Sequence, residues 1–127
     1  MNSKEREREA EKWLGKAKSD LRVAKMALED AEPEHDLACY LLQQCAEKSL
    51  KALLIKLGIR FSYKHDLDYL AGLLPPDKQM LFVDIELAWL TDWGVTGRYP
   101  VNMAAATEND ARRALQIARN IYDIVAG

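Results

Sequence analysis

The chain is poor in cysteine and histidine, with two of each. Its two cysteines, Cys39 and Cys45, sit six positions apart in one predicted helix, about 9 Å between Cα atoms at 1.5 Å rise per residue. A disulfide cannot span that distance, so reduced, packed thiols are expected. With no C-x-x-C pair and only His35 and His65, zinc-ligand spacing is missing and no structural metal or cofactor is expected. No apolar run approaches the roughly 18 residues a membrane span needs. The opening MNSKEREREAEKW is charged where a secretion signal has an apolar core, which predicts a cytoplasmic protein with no membrane contact. There is no phosphate-cradling loop either, since GVTG leads into RYP and not into Lys and Ser or Thr at a helix start. Nothing alternates apolar with polar for long enough to make a strand.

What remains is helical. At 127 residues, 49% apolar and 30% charged, the chain has the size and balance of one globular domain, read as a single unit over 1–127. Ala10, Trp13, Ala17, Leu21, Ala24 and Leu28 recur at steps of three and four, which predicts an amphipathic helix over 4–30. EPEHD interrupts it at Pro33, and a second helix is expected from Asp36 to Leu57, stopping at Gly58. HDLDYLAGLL starts a short third helix with Asp66 as N-cap. Pro75 and Pro76 suit the start of a fourth, expected to reach Thr91. DWGVTGRYPVNMAAA reads as a long loop, after which Thr107 and Asp110 resemble a capping arrangement ahead of a last helix. The predicted fold is all-α, an antiparallel up-and-down bundle of four principal helices plus one short one.

Net charge is -2, which argues against strong general attraction to nucleic acid. The average hides a division: residues 4–25 hold eight Lys/Arg against five Asp/Glu, and residues 26–97 hold six against twelve. Any phosphate-binding surface has to be local.

The second helix, CYLLQQCAEKSLKALLIKLG, is apolar on most of its circumference. On a helical wheel Tyr40, Gln44, Glu47, Lys48 and Lys51 fall within about 80 to 100° of one another and form one polar stripe. Such a strip either faces water through a gap between helices or lines a groove. Glu47 and Lys51 are also four apart, the spacing of a simple surface ion pair.

A first helix reading AEKWLGKAKSDLRVAKMAL, the second just quoted, then KHDLDYL, GRYP and a final TENDARRALQIARNIYDIV together resemble the HEPN domain family, over roughly residues 10–125. The resemblance implies a helical bundle, usually a homodimer. It also implies frequent partnership with a minimal nucleotidyltransferase, often as a toxin-antitoxin pair, and a nucleotide or RNA ligand. Many members are metal-independent ribonucleases whose signature is an Arg followed four to six residues later by a His, near the start of a late helix. Arg98 in GRYP holds the matching place, but no histidine follows His65 anywhere in the chain. RNA cleavage through the 2′-hydroxyl needs a proton acceptor near neutral pH, which arginine does not supply.

RFSYKH does place Arg60 and His65 at a permitted spacing, though in the connection after the second helix, where a low-information match is a decoy. Its ordinary reading is a His65 ordered by a hydrogen bond at the start of the third helix. Three functional readings follow. The first is a non-catalytic module that binds a nucleotide or RNA phosphate or serves a minimal nucleotidyltransferase partner, with Arg98 and Tyr99 contacting phosphate and Tyr40, Gln44, Glu47, Lys48 and Lys51 lining a groove. The second is a ribonuclease using Arg98 with a non-histidine base, for example Glu47 with a raised pKa. The third is an assembly module built on the long loop, Trp89 and Trp93.

Overall fold

The computed structural model describes residues 1–94 and 105–127. Helix α1 runs Ser3–Glu29, α2 His35–Lys56, α3 Leu67–Gly72, α4 Pro76–Gln79, α5 Leu87–Thr91 and α6 Glu108–Ala126, with 3₁₀ turns at Met80–Phe82 and Asp92–Gly94. The chain is an all-α bundle, as its periodicities predict. Helix α2 is the central element, packed along α1 on one side and α6 on another. Its buried residues include Ala38, Cys39, Leu42, Cys45, Ala46, Leu50 and Leu54, so several sides of this helix meet protein. Alanines at 10, 17 and 24 on α1 let the two long helices approach closely.

The expected boundaries of the first two helices and the expected starts of the third and the last hold within a residue or so, and their chemistry is explicit. Asn2 accepts from the Glu5 amide and starts α1. Gly58 takes φ 73°, and the Gly58 and Ile59 amides donate to the Ile55 and Leu54 carbonyls, satisfying the end of α2. Asp66 caps α3 by accepting from the Asp68 and Tyr69 amides. Thr107 and Asp110 form a reciprocal capping box at α6.

The continuous helix expected from Pro76 to Thr91 is a correction. That stretch breaks into α4, a 3₁₀ turn, an irregular step at Val83–Glu86 and α5. Phe82 and Leu87 are both buried, yet five residues on one α-helix turn the second about 140° from the first. Breaking the helix lets both reach the core. Trp89 and Trp93 then pack edge to face at 6.1 Å, and Arg113 of α6 lies over the Trp89 ring while pairing with Glu86.

Cys39 and Cys45 are free and buried. Burial, with Asp110 and Asp36 nearby, pushes the Cys39 thiol up to about 12. Burial likewise pushes Cys45 up to about 12, against the Ser49 hydrogen bond and Lys48, which pull it down. No helix among the described residues is long and apolar enough to cross a membrane.

Candidate functional site

The polar stripe of α2 does not form one surface. Lys48 reaches across to Asp20 of α1, Nζ to Oδ2 2.6 Å, and ties the two helices together. Gln44 turns to its neighbour and donates to Gln43 Oε1 at 2.8 Å, and Tyr40 is half-buried. Glu47 and Lys51 go inward instead, each side chain only 5% exposed, with Lys51 Nζ donating to Glu47 Oε2 at 2.8 Å. The surface ion pair that their spacing allows is a buried one.

The connector between α2 and α3 covers them. After Gly58 turns the chain out of α2, residues 59–66 run back over the helix end. Phe61 and Tyr63 of the connector and Trp13 of α1 place their ring centroids 5.7, 5.8 and 5.8 Å from Lys51 Nζ, an arrangement of three faces around one ammonium. His65 closes the group: its Nδ1 lies 2.9 Å from Glu47 Oε1. Gln43, fully buried one turn before Glu47, donates from Nε2 to Glu47 Oε1 at 3.3 Å and to the His65 carbonyl at 3.1 Å.

Glu47 therefore accepts from Lys51, His65 and Gln43 together. Burial alone would raise its pKa, but these three donors outweigh burial and hold the carboxyl below the usual glutamate range. The raised pKa required of Glu47 as a general base is thus overturned. An ionised carboxylate only accepts, so the proton between the two groups belongs to His65 Nδ1, which donates. The imidazole itself is 62% exposed. A buried carboxylate holding an exposed imidazole by one nitrogen restricts the ring orientation and, in the neutral tautomer, leaves Nε2 as an acceptor.

Around it the connector carries Arg60, Phe61, Tyr63 and Lys64 against the single acid Asp66, and two of the lysines before it, Lys48 and Lys51, are already paired with carboxylates. Residues 48–65 contain Lys48, Lys51, Lys56, Arg60 and Lys64 and no Asp or Glu, in a chain of net charge -2. Arg60, Lys64 and His65 are exposed, Tyr63 is 98% exposed, and Lys64 lies 4.8 Å over the Tyr69 ring. Ser62 fastens the loop to α3, its amide donating to Tyr69 Oη at 3.1 Å. Gly94 packs directly on Gln43: a Cβ there would stand 2.3 Å from the Gln43 side chain. Arg98 and Tyr99, the candidates from GRYP, lie outside the described residues.

Sequence reasoning missed Trp13, Gln43, Phe61 and Tyr63 as members of this group. One signal was available: the acid-free run from 48 to 65 joins the last two residues of the stripe to most of the connector.

The family model of the HEPN domain matches residues 10–127. The chain belongs to the HEPN family. The crystal structure of TT1696 from Thermus thermophilus superimposes with a TM-score of 0.74 at 29% identity, covering 92% of this chain and 95% of that one. ST0689, an archaeal HEPN homologue, does so with a TM-score of 0.68 at 33% identity, over 93% and 95%. No curated protein sequence matches the chain at a significant level. In this HEPN bundle His65 is held against Glu47, past the middle of α2.

Proposed function

We propose that this HEPN protein binds a nucleotide or a single-stranded RNA segment through phosphate and base contacts at the α2–α3 connector. The observation that carries the reading is the Glu47–His65 hydrogen bond, 2.9 Å long, in which a buried carboxylate orients an exposed imidazole beside Lys64. Tyr63 offers an open ring for stacking an unpaired base, and Arg60 and Lys64 offer cations to the backbone. Arg98 is proposed as a further phosphate contact through its planar fork.

The same hydrogen bond favours a second reading, metal-independent cleavage. His65 Nε2 would take the proton of the 2′-hydroxyl as its oxygen bonds to phosphorus. The P–O5′ bond would break, leaving a 2′,3′-cyclic phosphate and a 5′-oxygen that takes up a proton. Glu47 then acts by orienting the base and not as the base itself.

The test is fluorescence anisotropy of labelled single-stranded RNA, with a metal-free cleavage assay of the same samples. Stacking is worth about 1–3 kcal/mol per base, so Tyr63→Ala should weaken binding by that amount. Equal affinity of wild type, Tyr63→Ala and His65→Ala would sink the binding reading. Cleavage by wild type that disappears in His65→Ala and falls in Glu47→Gln would establish the catalytic one, and Arg98→Ala checks the phosphate contact.

A further inference from the structure

Glu47 decides more about His65 than the direction of its ring. A neutral imidazole left to itself can carry its proton on either nitrogen, and so can offer Nε2 to a ligand as a donor or as an acceptor. His65 has no such choice. Its Nδ1 lies 2.9 Å from Glu47 Oε1, and that carboxylate, ionised through the neutral range, only accepts. The single proton of the neutral ring therefore stays on Nδ1, and Nε2 presents a lone pair. Only a second proton, which makes the ring a cation, turns Nε2 into a donor.

The other groups around the imidazole leave this arrangement intact. On α2, Lys51 is bonded to Glu47 Oε2 at 2.8 Å, and the neutral Gln43 donates to Glu47 and to the His65 carbonyl. In the connector, Arg60 is exposed, Lys64 lies 4.8 Å over the Tyr69 ring, and Asp66 Oδ1 accepts from the Asp68 and Tyr69 amides. Helix α3 adds the exposed Asp68 and Tyr69, whose hydroxyl meets Ser62. From α1, Trp13 faces Lys51, with Lys16 5.6 Å over the same ring. The Asp92–Gly94 turn reaches Gln43 through Gly94 and carries Asp92 exposed. Among the described residues, Glu47 alone is hydrogen-bonded to the imidazole.

We infer that phosphate binding at the connector is switched by one proton on His65. The imidazolium, anchored to Glu47 through Nδ1, donates from Nε2 to a phosphate oxygen; the neutral ring turns a lone pair to it instead. The switch rests on the binding reading given above. Imidazole changes charge between about pH 5 and 8, where arginine and lysine do not ordinarily titrate. Binding is therefore tightest on the acid side of that window and weakens as pH rises, by at most about tenfold per pH unit, the limit for a single proton. Binding and cleavage call on opposite forms of the ring, since an Nε2 that already holds a proton cannot take one from a 2′-hydroxyl.

Two measurements test the switch. The first needs no ligand: ring-nitrogen NMR shifts of the full chain, with His65→Gln identifying the His65 signals, should show the Nδ1–H tautomer on the alkaline side of the window. A neutral ring protonated on Nε2 overturns the inference. The second is fluorescence anisotropy with a single-stranded RNA oligomer lacking terminal phosphates, so that the charge of its diester backbone stays constant, from about pH 5 to 8. Wild-type affinity should fall about tenfold across the series, the difference between a charge-assisted and a lost hydrogen bond. His65→Arg and His65→Gln, which do not titrate in this window, should each give a level profile. The ring is 62% exposed, so both variants should fold, and far-ultraviolet circular dichroism checks that. A level profile in wild type, or a fall shared equally by His65→Gln, overturns the switch and leaves the binding reading standing. Absence of binding by wild type at every pH removes the binding reading, and the switch with it.

Discussion

Lys48 and Lys51 stand three residues apart on α2, each bonded to a carboxylate at under 3 Å, yet they do different things. Lys48 and Asp20 keep 24% and 18% of their side chains in solvent and join two helices. Lys51 and Glu47 are nearly sealed, bonded along one helix, and the connector rests on them. For the outer pair, attraction is weakened by water and so is the cost of losing a partner. For the inner pair, both charges have left water, and their stability depends on how completely each is satisfied. Glu47 has three donors, and Lys51 has one carboxylate and three ring faces. The lesson is that a salt bridge is defined by its surroundings more than by its length.

The comparison breaks most visibly at Lys51. Lys51→Met leaves Glu47 buried with only Gln43 and His65, and should destabilise the protein by about 3–5 kcal/mol in urea unfolding. A loss below about 1 kcal/mol would mean that water reaches the pair and that the two salt bridges are alike after all. Gly94→Ala attacks the same group from the other side, forcing a methyl against the Gln43 amide, and should cost about 1–3 kcal/mol. If it is neutral, Gln43 is not held as firmly as its bonds to Glu47 and His65 imply. Lys48→Ala should cost about 0.5–1 kcal/mol, and the Lys48→Ala, Asp20→Ala double cycle should return a coupling of that size.

Acid sharpens the contrast last. Glu47 has a folded pKa below its ordinary value of 4.5, so its contribution to stability is complete above that value and is lost as pH falls through the lower, folded one. Wild type should therefore lose stability more steeply than Glu47→Gln as pH is lowered below 4.5. Parallel curves would remove Glu47 from the acid response.

Local signals carry most of the fold. The Gly58 stop, the Asp66 cap and the Thr107 capping box are legible because each is settled within a few residues by hydrogen bonds to nearby backbone. The break between Phe82 and Leu87 is masked by the prolines that open the segment, although a spacing of five already conflicts with one buried helical face. The site is legible only in part. A wheel drawn for α2 gathers Glu47, Lys48 and Lys51, but it cannot say which neighbour each will meet. Asp20 and Trp13 come from α1, and Phe61 and Tyr63 come from a connector with no period at all. His65 reads as a decoy because it stands before the third helix in sequence. In space, that position is where the connector returns to Glu47.

The two thiols at the centre of the bundle lend themselves to one more use. A thiol that ionises only near pH 12 is almost all protonated at neutral pH, and the protonated form hardly reacts with alkylating reagents. In the folded chain Cys39 and Cys45 are thus silent, and they become reactive only in molecules whose α2 has come away from its neighbours. The rate of their labelling is a clock for that opening, already built into the unmodified sequence.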